Sequence, residues 1–152
     1  MASNKARMAA ASISISAAAL IGIAANEGYV GQTYKDLGGV LTIGFGETAG
    51  VKDGQRTDPV RALIKLNQSA EAHAHGMVAC ITVPISQGEF DAYLSFTYNL
   101  GVGSFCRYIA PILNKSDYDA ACKKILLFDH VGTQKVAGLT RRRQEEYATC
   151  QS

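Results

Sequence analysis

Charge is scarce in this chain. Asp, Glu, Lys and Arg supply 18% of its 152 residues and nearly cancel, leaving +2 at neutral pH with the histidines uncharged. That balance is too small to point to nucleic acid as a partner, though it suits contact with an anionic surface. Metal-ligand spacing is missing as well. Cys80, Cys106, Cys122 and Cys150 contain no CxxC and no Cys/His pattern of the kind zinc uses. His73 and His75 diverge by about 200° on a helix and share no face, so they read as solvent-exposed histidines without a role. No internal repeat and no low-complexity tail is present.

The rest of the composition, 47% hydrophobic, fits one globular domain with a sizeable core, since roughly 100 to 200 residues per domain is usual. The even set of cysteines leaves two possibilities, buried thiols in a reducing compartment or two disulfides in an oxidising one. Three pairings are open.

Met8 to Asn26 is an uncharged run of 19 residues preceded by Lys5 and Arg7. As a helix it is long enough to cross a bilayer, for which about 20 residues are needed. Eight alanines, three serines and a glycine contribute little to transfer, so insertion is expected to be marginal and reversible. The basic residues ahead of it favour a cytoplasmic N-terminus with the rest of the chain outside. A cleaved signal peptide is a second reading, with Gly22-Ile23-Ala24 or Ala25 before the cut. It would leave Glu27 almost at a free end, without the helix that should hold it. A buried first helix is the third reading.

The chemistry is densest just after this run. Val30 to Lys35 and Val40 to Phe45 are rich in β-branched and aromatic residues, and Asp36-Leu37-Gly38-Gly39 between them reads as a hairpin turn. Glu27 then faces Asp36 across a cleft. Carboxylates flanking a bond are what glycoside hydrolysis needs, because one donates a proton to the leaving oxygen while the other stays ionised. Thr42 is placed to hold the attacking water. On spacing alone, solvated turn residues remain the plain alternative.

The pattern Glu27, eight residues, Asp36, five residues, Thr42, then Ile43-Gly44-Phe45-Gly46 resembles the catalytic signature of the phage-type lysozymes, glycoside hydrolase family 24. The resemblance implies Glu27 as general acid, Asp36 as base or nucleophile, and Thr42 as the residue that positions water. One position departs: Glu47 follows Gly46 where the family usually carries His. An inward Glu47 makes a neighbouring acid harder to ionise, whereas an outward one is inert.

Downstream, Thr57-Asp58-Pro59 opens a long amphipathic helix through Leu63, Ile64, Leu66 and Ala70 toward Ala74. Glu47 to Gln55 reads as a loop or a third short strand. Ser86-Gln87-Gly88-Glu89 has capping-box spacing ahead of a central helix. Ser104 and Ser116 are expected to cap two short helices, 105–113 and 117–127, and 128–138 reads as a loop. Ser95 to Gly103 resembles a family segment whose Asn lies near the substrate cleft, which implies substrate contact for Asn99. The alternative is that Asn99 caps the helix end. Gly138-Leu139-Thr140-Arg141-Arg142-Arg143-Gln144-Glu145-Glu146 resembles the start of the family's last helix and implies that Arg142 approaches the catalytic carboxylates. Otherwise a basic run is a solvated face.

The family resemblance implies an α+β, lysozyme-like fold, mostly helical, with a small β-hairpin or three-stranded sheet at the cleft. It divides the chain into a segment 1–26 and a catalytic domain 27–152. The implied activity is a muramidase without metal or cofactor, a monomer that cleaves the β-1,4 bond between N-acetylmuramic acid and N-acetylglucosamine in peptidoglycan with inversion. Endolysins of this kind carry cysteines at similar places, and helix order then favours Cys80 with Cys106 and Cys122 with Cys150. Endolysins with a signal-anchor-release segment imply that residues 8–26 hold the enzyme on the inner membrane, facing the periplasm, until it is released as a soluble periplasmic protein and lyses the host. While the run lies in lipid, Glu27 sits at the membrane surface, away from Asp36 and Thr42. A non-catalytic, membrane-anchored wall-binding module of the same fold is the rival reading, and Glu47 is its support.

Overall fold

A computed structural model describes residues 5–152, mostly helical with two small antiparallel sheets. A single 3-10 turn, Ala10–Ser12, precedes α1 (Ala17–Glu27). Ser16 caps α1 by accepting from the Ala19 amide at 3.0 Å, and its hydroxyl donates to Asp91 at 2.6 Å. Gly28 ends the helix. Its φ of +72° is one that other residues reach only with strain, so the chain leaves the helix directly after Glu27.

β1 (Val30–Lys35) and β2 (Leu41–Gly44) form the expected hairpin, pairing Tyr34 with Thr42 and Lys35 with Leu41, with a bulge between Val30 and Tyr34. Among the described residues no third strand extends it. Residues 47–57 return as a loop that touches the hairpin through two bridges, Ile43 to Glu47 and Gln32 to Arg56. Gly50 and Gly54, at φ of +68° and +75°, break any extended run there.

α2 (Pro59–Val78) is capped by Asp58, whose carboxylate accepts from the Val60 and Arg61 amides at 3.0 Å. It runs from β2 to the helical lobe, where it meets α1 and α3 (Gln87–Leu100). The capping box of α3 is complete: the Ser86 hydroxyl accepts from the Glu89 amide, and the Glu89 carboxylate accepts from the Ser86 amide at 2.8 Å. α3 is buried nearly all round, and its Phe90, Tyr93, Leu94 and Phe96 form one core with Leu66, Ala70 and Met77 of α2 and Ile23 of α1.

The next stretch departs from the sequence reading. Residues 102–113 form α4 (Val102–Ser104), a wide π turn (Phe105–Ile109) and α5 (Ala110–Leu113) rather than one capped helix. Ser104 is itself helical, and its hydroxyl donates back to the Leu100 carbonyl at 2.8 Å. Pro111 explains the wide turn. It has no amide hydrogen and its ring crowds the carbonyl four residues earlier, which a widened turn relieves. Ser116 does not cap either: it takes a φ of +61°, and Asp117 caps α6 (Tyr118–Ile125) through the Ala120 amide. The expected loop after α6 contains a second hairpin, β3 (His130–Val131) with β4 (Gln134–Lys135). The buried Asp129 ties it to Lys135, His130 and Thr140. α7 (Ala137–Gln151) closes the chain along α3.

Two disulfides tie these helices together. Cys80–Cys106 joins the segment after α2 to the π turn, and Cys122–Cys150 joins α6 to α7. With sequence separations of 26 and 28, each restricts the unfolded chain by about 3.5 kcal/mol on a loop-entropy basis.

The uncharged run 8–26 is folded onto this same core. Ala10 and Ile23 are buried, with Ile13, Ile15, Leu20 and Ala24 packed beside them. Among the described residues no helix is long and apolar enough to cross a membrane. At the start of the run, Met8 pairs with Ile85 through two backbone hydrogen bonds of 2.9 Å. Arg7 grips the fully buried Glu89 at 2.7 to 3.2 Å and lies 3.6 Å over the Tyr118 ring. Removing Arg7 strands a buried carboxylate. Because the Arg7 side chain is 26% exposed, we expect Arg7→Ala to cost about 3 kcal/mol, the low end for breaking a buried pair. Urea unfolding of the purified protein measures it, and adding Glu89→Gln should restore part of the loss.

Candidate active site

Glu27 is the last residue of α1, half-buried, and the hairpin starts three residues later. Its Oε1 lies 3.6 Å from Nη1 of Arg142. Its Oε2 lies against Gly46, where a Cβ would come within 3.2 Å of it at a φ of +83°. Both the approach and the backbone conformation therefore call for glycine at 46.

The hairpin supplies the other two groups. Asp36 is exposed at its tip, and Oδ1 accepts from the amides of Gly38 and Val40, each at 2.9 Å. This Asx turn closes the hairpin and fixes the carboxylate by one oxygen. Thr42 is buried on β2, and its hydroxyl donates to the Val40 carbonyl at 3.0 Å. A hydroxyl that donates in one direction still offers lone pairs in another. Val40 thus links the two side chains, giving its amide to Asp36 and its carbonyl to Thr42.

Behind Glu27, α7 contributes a group of charges that the solvated-face reading of the basic run does not foresee. Arg141 is exposed, but Arg142 and Arg143 are buried. Arg142 reaches Glu27 with one nitrogen, the Ser95 carbonyl with Nη2 at 3.2 Å, and Glu146 with Nε at 3.3 Å. Arg143 donates through Nη2 to Glu146 at 2.8 Å and to Asn99 Oδ1 at 3.0 Å. Its Nε makes a close ion contact with Glu146 Oε2 at 2.7 Å, outside hydrogen-bond alignment. Glu146 also accepts from the Ser95 hydroxyl at 2.7 Å. Burial pushes the Glu146 carboxyl up, against the pull of Arg143, the Ser95 hydroxyl and Arg142. Burial likewise pulls the Arg143 guanidinium down, with Glu146 opposing. Sequence reasoning missed Glu146 and Arg143. The available signal was the spacing of Glu146, three and four residues beyond two arginines on one helix.

Asn99 is exposed and held by Arg143, and the α3 cap is Gly101 at a φ of +88°, so Asn99 does not serve as the cap. The adjacent Tyr98 is half-buried between the lobes. Burial pushes its phenol up, the charges of Glu27 and Glu47 add to this, and a Ser69 hydrogen bond and Arg142 oppose it. His73 stacks on Tyr98 with ring centroids 4.9 Å apart, its Nδ1 2.8 Å from the Ser69 carbonyl, so it is half-buried rather than solvent-exposed. Glu47 is half-buried too, its Oε1 accepting from the Ala49 amide at 2.7 Å. Among the described residues no three His, Cys, Asp or Glu side chains group as metal ligands would.

This arrangement offers one carboxyl against a guanidinium, a second carboxylate fixed on a hairpin and a hydroxyl beside it. Known proteins resemble this chain in sequence and in fold. Residues 24–146 match the phage lysozyme family. The SAR-endolysin of Pseudomonas phage phiKMV is 31% identical over 88% of this chain and 86% of its own. Among solved structures, a mutant of P22 lysozyme superposes with a TM-score of 0.84 at 26% identity, covering 92% of this chain and 99% of that one. The muramidase domain of SpmX from Asticaccaulis excentricus gives 0.83 at 25% identity, over 90% of this chain and 96% of the domain. A match over most of the chain, together with a relative above 30% identity along nearly its whole length, settles the family: this chain belongs to the phage lysozymes.

Proposed function

We propose that the protein is a phage endolysin, a lysozyme that hydrolyses the β-1,4 bond between N-acetylmuramic acid and N-acetylglucosamine in peptidoglycan and so lyses the host cell. The observation that carries this reading is Glu27, held at the end of α1 between Arg142 and Gly46, directly ahead of the hairpin that carries Asp36 and Thr42.

In the proposed reaction Glu27 protonates the glycosidic oxygen as the bond breaks. Asp36 stays ionised, stabilises the developing cation and activates a water aligned by the Thr42 hydroxyl. The two hydrogen bonds it accepts from backbone amides keep the carboxylate in one place, which this role needs. Arg142 holds Glu27 in position, and Asn99, itself fixed by Arg143, contacts the sugar chain. The stereochemical course is inversion, with water attacking the face opposite the leaving group.

The relatives named SAR-endolysins support a membrane-held precursor. In that reading residues 1–26 form a tethering segment and 27–152 the catalytic domain. Residues 8–26 first hold the enzyme on the inner membrane, facing the periplasm, and then leave it as a soluble periplasmic form. Until α1 folds onto α3, Glu27 lacks the helix that sets it against Arg142, so the tethered form is inactive.

Three outcomes follow. Glu27→Gln should lower clearing of a peptidoglycan suspension by about 10³-fold or more while the protein stays folded, since the general acid is lost. Unchanged clearing by the variant, or binding without clearing by the parent, would favour the wall-binding module. The first-formed reducing sugar, followed by NMR before mutarotation, should be the α-anomer. A membrane-held form with residues 8–26 demonstrably in the bilayer should show little activity, and full activity there would sink the tethering idea.

A further inference from the structure

We infer that Glu146 is a positioning residue of the active site, the counter-charge that keeps Arg142 from locking Glu27 in its ionised form. This rests on the muramidase reading above, in which Glu27 must carry a proton to give away.

Charge and distance carry the argument. Arg142 is buried against Glu27, Arg143 is buried next to it in sequence on α7, and the acid that pairs with both is Glu146. With Glu146 ionised, the trio presents one net positive charge to Glu27. Without it the trio presents two, and opposite charge nearby favours a carboxylate over a carboxylic acid. The cluster is shielded from solvent, so screening removes little of that difference. Glu146 is also anchored from outside α7 by the Ser95 hydroxyl of α3, at 2.7 Å. The Arg142 guanidinium is therefore placed by two groups, Glu146 and the Ser95 carbonyl, neither of which is the substrate.

The other groups around Glu27 do not serve this purpose. From the loop after β2 it meets the Gly46 backbone, with Glu47 nearby, and from α3 it has Tyr98, on which Glu27 and Glu47 both bear. From α7 it meets Arg142. Glu47 repels a second negative charge but is tied to its own loop at Ala49 rather than to Arg142. Among the described residues, Glu146 is the acid besides Glu27 that pairs with Arg142.

The test is the pH profile of kcat/KM on soluble peptidoglycan fragments for the parent and three variants of the full chain. Glu146→Gln adds net positive charge, so the alkaline limb, where the acid loses its proton, should move down by about 0.5 pH unit or more, roughly a threefold change in protonated fraction. Arg143→Gln removes positive charge and should move that limb up. Glu146→Gln combined with Arg143→Gln restores the balance and should bring the limb back toward that of the parent, although it disturbs packing more. If Glu146→Gln fails to fold, the double variant compared with Arg143→Gln alone carries the same test. Loss of activity by one factor at every pH, or limbs that move in the same direction, would overturn the assignment and leave Glu146 a structural residue. A parent that clears no peptidoglycan, or a Glu27→Gln variant as active as the parent, would instead overturn the muramidase reading.

Discussion

Two neighbouring arginines buried on one helix are costly unless something neutralises them, and in this protein that constraint organises the cleft. Removing a guanidinium from water costs several kcal/mol even after relaxation. Arg142 and Arg143 are both taken inside, and the partners that compensate them come from three elements: Glu146 from α7, Ser95 and Asn99 from α3, and Glu27 from α1. The charge cluster therefore does what apolar packing alone does not. It fixes the rotation of α7 against α3 and sets the end of α1 against both. Arg143 also lies over Phe96, 5.4 Å from the ring centroid, so the polar cluster continues directly into the core.

α1 shows the complementary problem. Its exposed and half-exposed alanines and Gly22 bury little area, and a cavity of about 140 Å³ lies beneath it, between Gly22, Asp91 and Arg142. A helix with so little apolar surface is held weakly by packing. Two hydrogen-bonded anchors near the start of α3 compensate: Arg7 on Glu89 and Ser16 on Asp91. The same composition that makes residues 8–26 a poor membrane span makes them a poor core helix. Polar latches at its upstream side let such a segment dock without greasy side chains that would hold it in lipid. Glu27, at the other end of the same helix, inherits its position from those latches.

The sequence discloses what local chemistry determines. The hairpin follows from β-branched strands around Asp36-Leu37-Gly38-Gly39, and α2 and α3 begin where Asp58-Pro59 and Ser86/Glu89 say they should. Glu27, Asp36 and Thr42 stand out because their spacing matches a known signature. What stays hidden is decided by tertiary contact. Nothing in Arg141-Arg142-Arg143 tells which two arginines turn inward, because that depends on where α3 lies. Ser104 and Ser116 have the right chemistry for caps but lose to Pro111, which widens the turn before it, and to Asp117, one residue further on. His73 looks solvated until Tyr98, from a helix distant in sequence, covers it. The second hairpin at 130–135 has only two residues per strand, too short for alternation to register.

Glu47 lies where the local and tertiary readings meet. The sequence offers two choices for this departure, inward and consequential or outward and inert, and the molecule takes neither. The Oε1 oxygen is tied to the Ala49 amide of its own loop, which keeps the charge at the cleft wall instead of on the catalytic groups. From there it bears on Tyr98, as Glu27 also does. Burial, with the two carboxylates adding to it, pushes that phenol up, so Tyr98 can offer a hydrogen but no charge. A histidine at 47, protonated at low pH, would pull the other way and add a titration of its own. Glutamate brings no imidazole to the loop side of Glu27. The main adjustable influence on the acid is thereby left to α7, where Arg142 touches it.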